Sequence, residues 1–322
     1  MLVALGVGVP ISAVFLWLAL RGADLGKVRA TLADARPAPL GLAVAAIAIV
    51  YAAQAERWRL IAHVSALARA RFAEMVIASV ACNNVLPARV GDLLRARWLG
   101  RSGGLPAGRA LATVVLDRAC DVVVLFAMLV VTLPEATGAG WARRLALGAL
   151  ALLLATGCLF VFARVYTRTR ERTRLATRSL PRRVLRDVFE GIAEPMGRRR
   201  LAAAVALSAV AWFAFAAAAV LVGRAVGFHL GAMDALLATA VINLGVAIPS
   251  SPGFVGTYQW LAVASLGLAG IGRSSALAFA ILLQATWYVP TTVGGGAVLV
   301  ARGVRAAFAP AALRKAGNES TS

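Results

Sequence analysis

Long runs of apolar residues, separated by short polar intervals, cover most of this 322-residue chain. A helix that crosses a bilayer needs about 20 predominantly apolar residues. The pattern therefore predicts an all-α, polytopic membrane helix bundle, formed by a single transmembrane domain over residues 1–322. The predicted spans are 2–20, 38–55, 110–133, 143–163, 201–222 and 275–300.

Three further apolar runs are shorter or are broken by polar residues and prolines: 73–87, 233–248 and 258–271. Polar backbone at membrane depth is tolerated only where it is buried in protein or lines a cavity. Interrupted segments in both halves of a chain are a sequence sign of a transporter-type site. We therefore predict re-entrant or short helices in these three runs.

The basic residues are distributed unevenly between the polar intervals. By the positive-inside rule, the intervals that are rich in arginine and lysine face the cytoplasm. This orientation places both termini in the cytoplasm and predicts a multi-pass protein of the cytoplasmic membrane. Twenty-five of the 34 basic residues fall in intervals 56–72, 89–109, 164–200 and 302–322, and eight fall in 21–37, 134–144, 223–234 and 272–274.

Because 56–72 and 89–109 then lie on the same side, 73–87 must enter the membrane and return. The same count of basic residues predicts that 233–271 enters the membrane from the outer side and returns to it. The two broken-helix hairpins would thus form an inverted-repeat arrangement. The basic cytoplasmic segment 164–200 contains apolar residues at helical spacing, which fits an amphipathic helix on the inner leaflet or a solvated linker.

The first hairpin ends in a polar stretch whose side chains suit an anionic headgroup. Guanidinium groups bind phosphate through paired donors, and glycine permits close approach of the backbone. The alternative is a hairpin cap whose polar groups satisfy one another. The candidate residues are Asn83, Asn84, Pro87, Arg89, Gly91, Asp92 and Arg95.

Three charged residues interrupt the predicted span 110–133. Asp117 and Asp121 are four residues apart and therefore share one helical face, and Arg118 can pair with Asp121. A charge at the centre of a bilayer costs roughly 2.5–3.5 kcal/mol on insertion scales. The group is either an internal ion pair that fixes helix packing or a charged contact for a headgroup.

The second hairpin contains a bend that is rich in prolines and glycines and that cannot continue a helix. Its free backbone groups need partners, which a neighbouring unit or a bound headgroup would supply. An extracytoplasmic turn is the alternative. The candidate residues are Asn243, Pro249, Ser251, Gly253, Gly256, Tyr258 and Gln259. In the last span, Trp287 and Tyr288 are interpreted as interfacial anchors.

Composition supports the membrane prediction, because 61% of the residues are hydrophobic, against roughly 45–50% in soluble domains. The net charge of +20 is scattered between apolar runs, so we expect contact with anionic lipid rather than with nucleic acid. Cys82, Cys120 and Cys158 have no metal-ligand spacing, and we predict neither a metal site nor a cofactor. No P-loop pattern is present, which argues against ATP-driven pumping within this chain.

Three motifs carry a resemblance to a known family: NNVLPARVGDLLRARWL (83–99), LDRACD (116–121) and PSSPGFVGTYQ (249–259). In their order and spacing they resemble the transmembrane region of lysylphosphatidylglycerol synthases, a flippase-like family that also occurs as stand-alone membrane proteins. The family often has Glu where Asp92 and Gln259 stand here. The synthases carry a large cytosolic aminoacyl-transfer domain, and we expect none in this chain.

The resemblance implies a protein that moves or presents a polar-headgroup lipid across the membrane, and that is not an enzyme. The expected partners are membrane lipids with an anionic or amino-acylated headgroup, together with a lipid-biosynthesis enzyme or a second copy of the chain. Two alternatives stay open. One is a membrane-embedded transferase that uses Asp117 and Asp121 as an acid/base pair, and the other is a non-catalytic accessory subunit of an envelope-lipid pathway.

Overall fold

The structure, a computed structural model, describes residues 2–87, 89–132, 140–170, 180–194, 196–246 and 251–303. Within these ranges the regular structure is helical, and no strand occurs. The helices are α1 (Leu2–Leu20), α2 (Leu25–Ala33), α3 (Pro37–Ala62), α4 (Arg69–Val85), α5 (Val90–Gly103), α6 (Ala107–Thr132), α7 (Gly140–Arg170), α8 (Leu180–Ala193), α9 (Arg198–Ala225), α10 (Ala232–Gly245), α11 (Thr257–Leu268) and α12 (Arg273–Arg302), with a 3-10 turn at Pro252–Phe254.

Among the described residues, α3, α9 and α12 are long and apolar enough to cross a membrane, judged by length and composition. A fourth span results if Gly8–Leu20 and Leu25–Ala33, which meet at 85°, are counted as one broken helix. Helix α6 also has 26 residues, but it contains the charged group predicted from the sequence. These findings confirm an all-helical protein with several apolar helices.

The predicted apolar runs correspond to helices, but three polar intervals differ from the prediction. Interval 21–37 contains helix α2, helix α3 continues to Ala62, beyond the predicted end at residue 55, and interval 89–109 contains helix α5 instead of only a loop. In all three places charged residues interrupt the apolar pattern. Arg57 and Arg95 are buried at 1% and 3% exposure, because carboxylates from neighbouring elements compensate their charges. The positive-inside count therefore includes arginines that are buried inside the protein.

Helices α4 and α5 pack against each other as a hairpin, with α4 ending at Val85 and α5 beginning at Val90. The Asn83 side-chain oxygen accepts a hydrogen bond from the Gly91 amide at 2.8 Å, which closes the turn. A Cβ atom on Gly91 would lie 1.9 Å from the Ser79 carbonyl oxygen, so only glycine permits this approach. With 17 and 14 residues, the two helices are about 21–26 Å long, short of the ~30 Å hydrocarbon core.

Helices α10 and α11 form a second hairpin of similarly short helices, with 14 and 12 residues. A chain of side-chain amides fixes its bend. Gln284 of α12 donates to the Gly253 carbonyl at 2.7 Å, Gln259 donates to Gln284, and the Gly256 amide donates to Gln259 at 2.7 Å. Gln259 is thus occupied in holding the bend.

The two hairpins contact opposite ends of α12, which is 30 residues long. Arg302 at its end donates to Glu74, in the first third of α4, at 2.7 Å. At its other end, four residues, 269–272, connect α12 to α11. Near its middle, Tyr288 donates to the Asn84 carbonyl at 3.3 Å and lies close to Gly253. The broken tips of both hairpins therefore meet beside the middle of α12.

Helix α8, in the predicted basic segment, packs on α6. The approach is close, since a Cβ on Gly108 would lie 2.4 Å from the Val184 carbonyl and one on Gly191 would lie 2.6 Å from the Ala112 side chain. Ile192 is buried in the same contact. Part of the predicted apolar face thus covers another helix, while Leu185 remains 54% exposed.

We expect Gly91→Ala to destabilise the first hairpin, because the added methyl overlaps the Ser79 carbonyl. Overpacking of this kind costs about 1–3 kcal/mol. The apparent melting temperature in detergent, followed by fluorescence-detected size-exclusion chromatography, should fall. Gly41→Ala is the matched control, because its Cβ meets nothing within 4 Å. An unchanged melting temperature for Gly91→Ala would contradict the described packing.

Candidate functional site

A cavity of about 360 Å³ lies where the tips of the two hairpins meet. Helices α3, α4, α6, α9, α10, α11 and α12 all contribute to its wall, which is mostly apolar with several aromatic rings. The lining residues are Val50, Tyr51, Gln54, Val80, Asn83, Asn84, Arg89, Arg118, Asp121, Val122, Leu125, Trp212, Phe215, Asn243, Leu244, Val246, Phe254, Tyr258 and Trp287.

Six charged residues next to this cavity form a closed ring in which arginines and aspartates alternate. Arg57 of α3 donates to Asp117 at 2.7 Å and to both oxygens of Asp121, so it joins two carboxylates of α6. Arg95 of α5 donates to the other oxygen of Asp117 at 3.0 Å. These four side chains are between 1% and 7% exposed. They form the buried side of the ring.

The other side of the ring reaches the cavity at Arg118 and Asp121. The Arg95 Nε lies 3.5 Å from Asp92, and Arg118 donates to the same Asp92 oxygen at 2.9 Å. Arg118 lies 3.8 Å from Asp121, which closes the ring and confirms the predicted pair. Three positive and three negative charges cancel. We name these residues, Arg57, Asp92, Arg95, Asp117, Arg118 and Asp121, the charge ring.

Helix α9 provides two further hydrogen bonds to Asp121. Ser208 donates to it at 3.0 Å and the Trp212 indole donates to it at 2.8 Å. Burying an unpaired ion costs several kcal/mol, and this cost is offset only by close opposite charges with satisfied hydrogen bonds. The charge ring and its hydrogen bonds therefore connect α3, α6 and α9 where they cross, as the packing alternative that the sequence leaves open expects.

Arg89 lies outside the charge ring, at the tip of the first hairpin. Its backbone has φ +52°, in the left-handed region, and it precedes the first residue of α5. Its guanidinium donates to the Val246 carbonyl at 3.0 Å and stacks on the Phe254 ring at 5.8 Å. Among the described residues, no carboxylate lies within salt-bridge distance of Arg89. The charges of the described lining residues and of the charge ring therefore sum to +1, and this net charge is that of Arg89.

The candidate residues predicted from the sequence fall into three groups. The first lines the cavity and comprises Asn83, Asn84, Arg89, Arg118, Asp121, Asn243 and Tyr258. The second, Asp92, Arg95 and Asp117, belongs to the charge ring behind it. The third lies in or beside the two turns and comprises Pro87, Gly91, Ser251, Gly253, Gly256 and Gln259. Pro249 lies outside the described residues.

Two expectations about individual residues need correction. Arg95 does not line the cavity, so Arg118, and not Arg95, accompanies Arg89 there. Trp287 and Tyr288 are not interfacial anchors, because Trp287 is 8% exposed and lies in the cavity wall, and Tyr288 donates to the Asn84 carbonyl near the middle of α12. The aromatic residues of a long apolar span resemble an interfacial belt in sequence. Here, however, the two rings pack against the tips of the broken hairpins.

Sequence reasoning also misses residues of the site. The pattern assigns Arg57 to a cytoplasmic interval, and it assigns Tyr51, Gln54 and Trp212 to ordinary spans. A signal is present for Arg57, because two intramembrane aspartates with one arginine between them leave a negative charge that needs a second cation. Nothing in the apolar pattern identifies the other three, because their role depends on which helices are neighbours.

The sequence pattern of the lysylphosphatidylglycerol synthase TM region family matches residues 1–295. The chain belongs to this family. The match spans both hairpins and the charge ring, and it confirms the resemblance that the three motifs indicate. No match was found among curated proteins. Family membership establishes a membrane protein of the kind that forms the transmembrane region of lysylphosphatidylglycerol synthases, which is consistent with a lipid-related protein.

We expect Arg57→Met to be strongly destabilising, because it removes one cation from the charge ring and leaves Asp117 and Asp121 underpaired. Breaking a buried ion pair from one side costs about 3–5 kcal/mol. Arg59→Met is the matched control two residues away, where a partly exposed pair with Glu56 is worth about 0–1 kcal/mol. Apparent melting temperatures in detergent compare the two. Equal losses would show that the ring contributes little.

Proposed function

We propose that this protein is a flippase-like translocase that moves or presents a polar-headgroup lipid across the bacterial cytoplasmic membrane. The observation that carries the proposal is the cavity at the meeting hairpin tips, with Arg89 as its uncompensated charge. Small-molecule sites have volumes of ~300–1,000 Å³. At about 360 Å³, this cavity suits a headgroup whose acyl chains remain in the lipid.

The contacts of α12 support an inverted pair of re-entrant hairpins. The base of the first hairpin lies at the Arg302 end and the base of the second lies at the Arg273 end, as the Glu74 contact and the short 269–272 connection indicate. Each hairpin would thus enter the membrane from its own side and stop near the middle. A polar site between two such units can be reached from either side by small movements of one unit.

The charge ring argues against a transferase. Asp117 and Asp121 are the carboxylates that an intramembrane acid/base mechanism would use. Each accepts hydrogen bonds from arginine, and Asp121 also accepts from Ser208 and Trp212. A general base needs a free carboxylate oxygen within reach of the substrate proton. These oxygens are already occupied, which favours transport over chemistry.

We expect purified protein in liposomes to move fluorescent, chain-labelled phospholipid between leaflets, as measured by dithionite quenching. Arg89→Gln should slow this movement by about tenfold or more, because it removes a charge-assisted contact to the headgroup. Arg69→Gln is the matched control, since Arg69 lies at the base of the same hairpin with a side chain that is 79% exposed. Movement at the rate of protein-free liposomes would refute the proposal, and product formation would favour a transferase.

The topology can be tested by cysteine labelling in a variant in which Cys82, Cys120 and Cys158 are replaced. We expect Ser65→Cys, in the exposed turn before α4, and His229→Cys, in the connection before α10, to react with an impermeant maleimide from opposite sides of the membrane. Sealed right-side-out and inverted vesicles provide the two sides. Labelling of both positions from one side would contradict the inverted arrangement.

A further inference from the structure

We infer that the lipid handled here carries a phosphate headgroup of net charge −1, and that the site disfavours amino-acylated, cationic headgroups. The inference deepens the proposed function and rests on it for the identity of the ligand as a lipid. It follows from the distribution of charge and of free hydrogen-bond donors around the cavity.

The first argument is the charge of the wall. Because the charge ring is neutral, Arg89 gives the site a net charge of +1. Asp121 is the lining carboxylate, and Arg57, Ser208 and Trp212 occupy its oxygens. Ala88 and residues 247–250, which adjoin lining residues in the sequence and lie outside the described ranges, have no ionisable side chain. An ammonium group would therefore enter a positive site without finding a free carboxylate.

The second argument is the supply of donors. A guanidinium has five N–H donors, and Arg89 uses one of them on the Val246 carbonyl. Its remaining donors are available to a ligand in the cavity that Arg89 lines. A phosphodiester has acceptor oxygens for these donors and one negative charge that matches the charge of Arg89.

The aromatic rings of the wall suggest a competing ligand, since such rings also hold quaternary ammonium groups. Arg89 itself already covers the Phe254 ring. A second cation at this end of the cavity would lie close to the guanidinium and be repelled by it. Choline lipids are therefore disfavoured relative to lipids of net charge −1, and they serve as a comparison in the test.

The test separates lipid selection from lipid movement. Detergent-solubilised protein is offered equal amounts of phosphatidylglycerol, phosphatidylcholine and lysylphosphatidylglycerol with identical acyl chains, and native mass spectrometry measures the bound fractions. We expect the phosphatidylglycerol fraction to exceed each of the others by about tenfold or more. Arg89→Gln should remove the preference, Arg89→Glu should reverse it towards lysylphosphatidylglycerol, and Arg69→Gln should leave it unchanged.

Equal binding of the three lipids, or preference for lysylphosphatidylglycerol by the unmodified protein, would overturn the inference. So would a preference that survives in Arg89→Glu. If phosphatidylglycerol is selected but no lipid moves in liposomes, the inference holds and the translocase proposal fails. If all three lipids move at equal rates and bind equally, the translocase proposal holds and the inference fails.

Discussion

The compensation of charges placed among apolar helices is the constraint on which the rest of this structure depends. Arg57, Arg95 and Arg118 alternate with three aspartates around a closed ring, so that six charges cancel. Each aspartate lies between two arginines. Removing a buried member leaves its neighbours with the cost of an unpaired, desolvated charge. The positions of α3, α5 and α6 are thus coupled to one another by charge.

The ring also positions part of the cavity wall. Arg118 belongs both to the ring and to this wall, and it donates to Asp92, in the first turn of α5, at 2.9 Å. The tip of the same hairpin carries Arg89, which bonds to the tip of the second hairpin through the Val246 carbonyl. A change in the separation of the tips would therefore alter the environment of Arg89. Such a coupling is what the proposed movement of a lipid between the two hairpins would require.

Close backbone approaches, which exclude side chains, set the shape around the cavity. Gly91 lies against the Ser79 carbonyl, and Gly256 would place a Cβ 2.2 Å from the Ser12 carbonyl of α1. Gly295 similarly meets the Ile77 carbonyl, so that α12 crosses α4 closely. In apolar surroundings, small residues allow helices to approach and gain dispersion contacts. The polar tips are therefore enclosed by tightly packed backbone.

The sequence by itself determined the helical class, the approximate bounds of the apolar helices and the two places where the hairpins break, because apolar runs and helix breakers act locally. It also identified seven residues of the cavity wall through the polar motifs of the two tips and of α6. Only the tertiary structure decided that α5 forms the second arm of the first hairpin, that Arg57 completes a neutral ring with Arg95, and that Arg89 stays uncompensated. Charge compensation depends on which helices are neighbours in space, and Arg57 and Asp117 are 60 positions apart in the chain.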